Sequence, residues 1–231
     1  MGWAALLAAA LLAAPAAAQV VSARYDQPTT RYDHGVLGDA VEWGALELRL
    51  ADGTIRRLVL PGTRVFEDTA PRLADLDGDG APEVIVVESD LALGARLSIY
   101  GENGLIAATP FIGTRHRWLA PVGAADLDGD GRIEIALIDR PHLARILRIW
   151  RFEAGRLTEI ASIPGLTNHR IGARTISGGI RDCGTGPELA LSAPDWSRIV
   201  LARLTADRIE TRPTGLPATP TGFRRALGCR D

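Results

Sequence analysis

The sequence contains no lysine: all 26 basic residues are arginine, set against 28 acidic residues for a formal net charge of -2. That balance leaves no charge excess to draw the chain to nucleic acid or to an anionic membrane. The exclusive use of arginine reads as GC-rich codon bias rather than function. Common catalytic signatures are also missing. There is no G-x-S-x-G elbow, no H-E-x-x-H, no C-x-x-C and no phosphate-cradling G-x-x-x-x-G-K-[ST]. Long helices are excluded by 25 glycines and 14 prolines, which removes coiled coil from consideration. Disorder and collagen are excluded by ordinary globular proportions, 46% apolar and 23% charged residues.

One long apolar run stands at the N-terminus. Residues Ala4 to Ala14 are uninterrupted, Pro15 breaks the run, and Ala16-Ala17-Ala18-Gln19 follows. This is the pattern of a secretory signal peptide over residues 1–18, cut after Ala18, although Met1-Gly2-Trp3 carries no basic residue. The alternative is an uncleaved anchor, but the run is shorter than the about 20 residues that cross a bilayer. The mature chain is therefore expected to be periplasmic or secreted, with no membrane span. In such an oxidising compartment Cys183 and Cys229 are expected to pair; two free buried thiols are the alternative.

The rest of the chain repeats. Asp75-Leu-Asp-Gly-Asp-Gly-Ala-Pro-Glu83 and Asp126-Leu-Asp-Gly-Asp-Gly-Arg-Ile-Glu134 lie 51 residues apart. Turn signals at Asp52-Gly53, Asn103-Gly104, Ala154-Gly155 and Ala206-Asp207 keep nearly the same period, each between short β-rich runs. A period near 50 built from short strands indicates an all-β fold, a small β-propeller of about four blades. The repeats are placed at residues 25–63, 64–114, 115–165 and 166–217, in one domain spanning 19–231. The tail, 218–231, includes a short helix expected from Thr221 to Cys229 with Thr221 as its cap. A β-solenoid is the runner-up, with shorter and more uniform repeats.

In each acidic loop three aspartates fall at alternate positions, and two glycines, Gly78 and Gly80 in the first, let the backbone curl so that the carboxylates converge. Clustered carboxylates repel unless a hard cation neutralises them, and calcium takes six to eight oxygens. Two calcium sites are expected. One is Asp75, Asp77, Asp79, Glu83 and the Ala81 carbonyl; the other is Asp126, Asp128, Asp130, Glu134 and the Arg132 carbonyl. The twelfth positions, Val86 and Leu137, are strand-like rather than acidic, which excludes an EF-hand. Solvated turns without metal are the alternative.

These loops, each followed by a hydrophobic strand and repeated in an exported chain, resemble the FG-GAP/VCBS repeat family, similar to the calcium-binding blades of the integrin α-subunit propeller. The resemblance is specific over residues 64–164. It implies a propeller stiffened by loop calcium and serving adhesion, ligand display or assembly. The fourth repeat departs from the pattern: Asp182 and Glu188 remain, too few to hold calcium well. A Cys183–Cys229 disulfide is expected to pin the tail there instead.

Polar pairs precede the loops: Asp33-His34, Glu67-Asp68, His116-Arg117 and His169-Arg170, with Trp118 beside the third. They are candidates for a ligand rim at a channel mouth, against the plainer reading of hydrogen bonds between blades. The leading expectation is a monomeric, non-catalytic binding or scaffold protein with a protein or glycan ligand. The alternative is an exported hydrolase or lyase using the His, Arg and acidic pairs.

Overall fold

The computed structural model describes residues 19–206 and 208–230. The signal segment expected at residues 1–18, and Asp207 of the fourth turn, lie outside them. Among the described residues the regular secondary structure is nearly all strand, in antiparallel sheets, with one short helix.

The first repeat runs from β1 (Val20–Thr29) to β2 (Glu42–Leu50) and β3 (Ile55–Val59). The second has β4 (Arg64–Phe66), β5 (Arg72–Ala74), β6 (Glu83–Asp90), β7 (Gly94–Gly101) and β8 (Gly104–Ala108). The third has β9 (Leu119–Ala125), β10 (Glu134–Asp139), β11 (Ile146–Glu153) and β12 (Arg156–Pro164). The fourth has β13 (Gly179–Asp182), β14 (Pro187–Ser192), β15 (Ile199–Thr205) and β16 (Arg208–Pro213). The hairpin turns fall where the sequence signals them. Gly104 and Gly155 take φ of 122° and 72°, which side chains rarely adopt.

The third and fourth repeats are separate four-stranded sheets, while the first two share one eight-stranded sheet. The join is β4, which pairs with β2 at Trp43↔Phe66 and with β6 over Arg64↔Asp90 to Phe66↔Glu88. β1 ends this sheet on its far side, a strand the sequence pattern did not mark. Neighbouring sheets then stack: β5 lies beside β9 and β9 beside β13, while β8 lies beside β12 and β12 beside β16. Strands β6, β10 and β14 are almost wholly buried, as near-continuous apolar runs such as Val84-Ile-Val-Val87 require. One core, including Val87, Ile99, Ile135, Leu137, Ile149 and Leu191, runs from the second repeat to the fourth. Each such side chain contributes about 1.5–3 kcal/mol by leaving water.

The strand nearest its neighbours is continuous only in the third repeat. In the second, Glu67–Pro71 interrupt it between β4 and β5; in the fourth, Thr167 bridges Ser192 and residues 168–178 intervene before β13. The polar groups described below gather at these interruptions.

The C-terminal helix α1 covers Pro220–Leu227 and buries Phe223 and Ala226 against Ile199, Leu201 and Ala190. Its cap is Thr219, not Thr221. Thr219 has extended dihedrals (φ -114°, ψ 162°) and its hydroxyl accepts from Gly222 N, because Pro220 is pre-set for the first helical turn. The expected disulfide is present: Cys183 and Cys229 are bonded at 1.96 Å, with Cα atoms 5.7 Å apart.

Candidate functional site

The acidic loops leave β5 and β9 and re-enter the sheets at β6 and β10. Their backbones are folded by the same hydrogen bonds. Asp75 accepts from Gly78 N (2.8 Å) and Gly80 N (3.0 Å); Asp126 accepts from Gly129 N (2.7 Å) and Gly131 N (2.9 Å). Glu83 accepts from Leu76 N at 2.8 Å and Glu134 from Leu127 N at 2.9 Å, so each glutamate closes its loop from the first residue of a strand. Asp75, Asp77 and Glu83 bring one ligand atom each within 4.8 Å of one another, and so do Asp126, Asp128 and Glu134. Either cluster could hold a metal ion.

Asp79 and Asp130 stand outside these triads. Asp79 accepts from Ala81 N at 2.7 Å, and Asp130 is gripped by Arg132 at 2.6 Å, which holds its carboxyl down at about 2. Burial pushes the Glu83 carboxyl up, the Leu76 N–H opposes this, and repulsion from Asp77 and Asp79 adds to it. Three aspartates beside a buried glutamate form a hard, oxygen-only donor set in each loop, and that chemistry fits a calcium-sized cation. In the fourth repeat Glu188 is instead ringed by Arg181 (2.7 Å), Arg203 (3.3 Å) and Arg212 (3.5 Å).

The second candidate lies at the other end of the strands and collects all four histidines of the chain. His34 is hydrogen-bonded through Nδ1 to the buried Glu67, which also accepts from Ser89 Oγ. His34 stacks on His116 with centroids 5.1 Å apart, and Tyr32 meets both rings edge-on. His116 Nε2 lies 2.9 Å from Asp33. Trp118 is buried, its indole N–H donating to the Glu67 carbonyl at 2.7 Å, with His169 edge-on at 4.9 Å. His169 donates through Nε2 to the Ala173 carbonyl, so its Nδ1 accepts from His142 Nε2 at 3.0 Å. Burial, then His169, lowers His142 to about 4; burial likewise lowers His169, against the Ala173 carbonyl. His142 is therefore neutral at pH 7, and His169, whose Nδ1 accepts from His142 while its Nε2 donates, is held in the neutral tautomer by these bonds.

His34, His116, Arg117, Trp118, Arg140 and His142 line a cavity of about 260 Å³, with Leu143 and Ile171 exposed at its rim. Two of its residues, His116 (φ 56°) and Arg140 (φ 47°), hold left-handed backbone that non-glycine residues seldom adopt. Of the nine sequence candidates for a rim, His34, His116, Arg117 and Trp118 line this cavity, Asp33 holds His116, and Glu67 and His169 support it from behind. Asp68 and Arg170 do not join them. Asp68 is buried on Arg72, and Arg170 lies over the Trp196 ring at 4.4 Å.

The four pairs are also not at one level. Pairing places Glu67 level with Ala120 and Thr167, whereas His116 and Arg117 lie in the turn before β9. Sequence reasoning missed Tyr32, Arg140 and His142, which no period marks. It also missed Glu42, whose carboxyl burial, then Glu67, raises to about 9.

Residues 75–137 match the FG-GAP-like repeat, from the first aspartate of one loop to the strand after the other. Seven solved chains also match. Among them is the crystal structure of the exotype rhamnogalacturonan lyase YesX, 15% identical with a TM-score of 0.46; the match covers 79% of this chain and 43% of that one. The present chain thus spans less than half the length of that enzyme. No match was found among curated proteins.

Proposed function

We propose that this FG-GAP-repeat chain is an exported, calcium-stabilised propeller that acts by binding, through its histidine-lined cavity, a protein or glycan ligand. Asp75, Asp77 and Glu83, and in the next repeat Asp126, Asp128 and Glu134, would hold the cations, aided by Asp79 and Asp130 and by the carbonyls of Ala81 and Arg132. A bound cation neutralises the crowded carboxylates and stiffens each loop where two strands meet. The Cys183–Cys229 disulfide agrees with export to an oxidising compartment.

The observation that carries a binding role is the mutual satisfaction of the histidines. His34 is tied to Glu67, His116 to Asp33, and His142 through His169 to a backbone carbonyl. Such a network fixes ring positions and holds a wall rigid, which favours recognition at low entropic cost. The buried Trp118 and the exposed Leu143 and Ile171 supply apolar surface, while Arg117 supplies charge.

One observation favours the catalytic alternative: His34–Glu67 is an acid–base dyad at the cavity wall. A single experiment separates the two. The mature monomer is screened on a glycan and envelope-protein panel beside Arg117→Ala/Leu143→Asp, and bound glycans are analysed for cleavage. Retention lost in the variant, with ligands intact, supports binding. Cleavage that disappears in His34→Ala replaces binding with hydrolase or lyase action.

A further inference from the structure

The two acidic loops are nearly identical in sequence, yet the strands behind them treat the carboxylates differently. Resting on the calcium reading above, we infer that Arg151 is a built-in competitor for the cation at the second loop. The chain would then carry one strong site, at Asp75–Glu83, and one weak site, at Asp126–Glu134.

The geometry comes from register. Glu134 pairs with Arg151 across β10 and β11, and Ile135 with Trp150. The guanidinium enters the loop: Arg151 Nη2 lies 3.1 Å from Asp128, 3.0 Å from Asp130 and 2.6 Å from Glu134, and its Nε donates to Glu134 at 2.7 Å. In the second repeat Val84 pairs with Tyr100, so the residue opposite Glu83 is Gly101, which has no side chain to send. Among the described residues, no arginine or histidine forms an ion pair with Asp75, Asp77, Asp79 or Glu83; their recorded partners are backbone N–H groups.

The fourth repeat extends the series. Leu189 pairs with Ala202, which puts Arg203 at the same position, and there Arg181 and Arg212 join it on Glu188. From the second repeat to the third the four carboxylates are kept while Arg151 enters; in the fourth only Asp182 and Glu188 remain and three arginines gather on Glu188. The loop with no guanidinium depends most on an outside cation. The middle loop has both a full carboxylate set and a resident positive charge, and a metal must first displace that charge. A guanidinium shared among three carboxylates makes charge-assisted hydrogen bonds, stronger than neutral ones, and these are lost when calcium takes the same oxygens.

The test is a calorimetric calcium titration of the mature, disulfide-bonded protein, with sites assigned by Asp77→Asn and Asp128→Asn. Two unequal sites are expected, the one lost in Asp128→Asn weaker by at least about tenfold, the cost of one displaced charge-assisted contact. Arg151→Gly should bring the two together. Arg151→Gln, which keeps most of the side-chain stem, should do so even if the glycine variant folds poorly. In reverse, Gly101→Arg should weaken the site lost in Asp77→Asn; an added Cβ there meets only the flexible end of Ile106. Equal sites in the unmodified protein, or a weak site unmoved in Arg151→Gln, would overturn the role of Arg151 while leaving calcium binding intact. No calcium uptake by any of the proteins would overturn both readings together.

Discussion

Strand β9 joins two regions made in contrasting ways. Trp118 stands just before it, in the wall of the histidine cavity, and Asp126 just after it, opening an acidic loop. The acidic end is local: within ten residues, backbone amides and carboxylates close the same ring twice. The histidine end is assembled from segments far apart in sequence, around His34, Glu67, His116, His142 and His169, and no part of it recurs. Repetition marks what the second and third repeats share. The unrepeated convergence marks what this molecule has of its own.

Removing Trp118 should break the contrast most severely, because the cavity wall is also core. Trp118→Ala is expected to cost about 3–5 kcal/mol in a urea melt. A loss below about 1 kcal/mol would mean that the histidine end is an appendage to the fold rather than part of it.

Opening the Cys183–Cys229 staple, which closes a separation of 46 residues, is expected to cost about 2–4 kcal/mol. Cys183→Ser/Cys229→Ser measured against the oxidised protein gives the figure, and the histidine cavity should keep its binding. Concurrent loss of binding would show that the two ends are not independent.

Calcium at a hundredfold excess over Kd should stabilise by about 2.7 kcal/mol per site filled. Thermal melts in EDTA and in millimolar calcium, repeated on Asp77→Ala/Asp128→Ala, read this directly. An unchanged melting temperature in the unmodified protein would make the loops turns that need no metal.

The smallest effect concerns pH. His142 has a folded value of about 4 against 6.5 when free, so the unfolded chain takes up its proton first. The contribution of a neutral His142 is complete above about pH 6.5. It falls as pH drops toward 4 and levels off below that, where both states are protonated. His142→Gln should flatten this part of a stability–pH curve; an unaltered slope would place the titration elsewhere.

The acidic loops and hairpins were readable from sequence because each is written in a few adjacent residues: alternating aspartates, or a glycine that can take positive φ. The cavity was half readable. His34, His116 and Trp118 stood out as polar or aromatic residues near the loops, but His142 lies in a separate loop and meets His169 only once the sheets stack. Arg151 was hidden by a single residue of register. The 51-residue period aligns it with Tyr100, whereas strand pairing aligns it with Gly101. The cap shifted from Thr221 to Thr219 because Pro220 favours the first helical turn. The join made by β4 rests on one short strand with two partners, a long-range choice that no local pattern records.

The eight-stranded sheet ends on β1, ten residues long, with one side unpaired among the described residues. A free edge of that length is a template on which another copy could add a strand, the first step toward aggregation. β1 carries the features that discourage this: a break in register between Val20 and Ser22, charges at Arg24 and Asp26, and Pro28, which has no N–H to offer. Protection against edge-to-edge association is thus built into this outer strand, away from both the cation loops and the cavity.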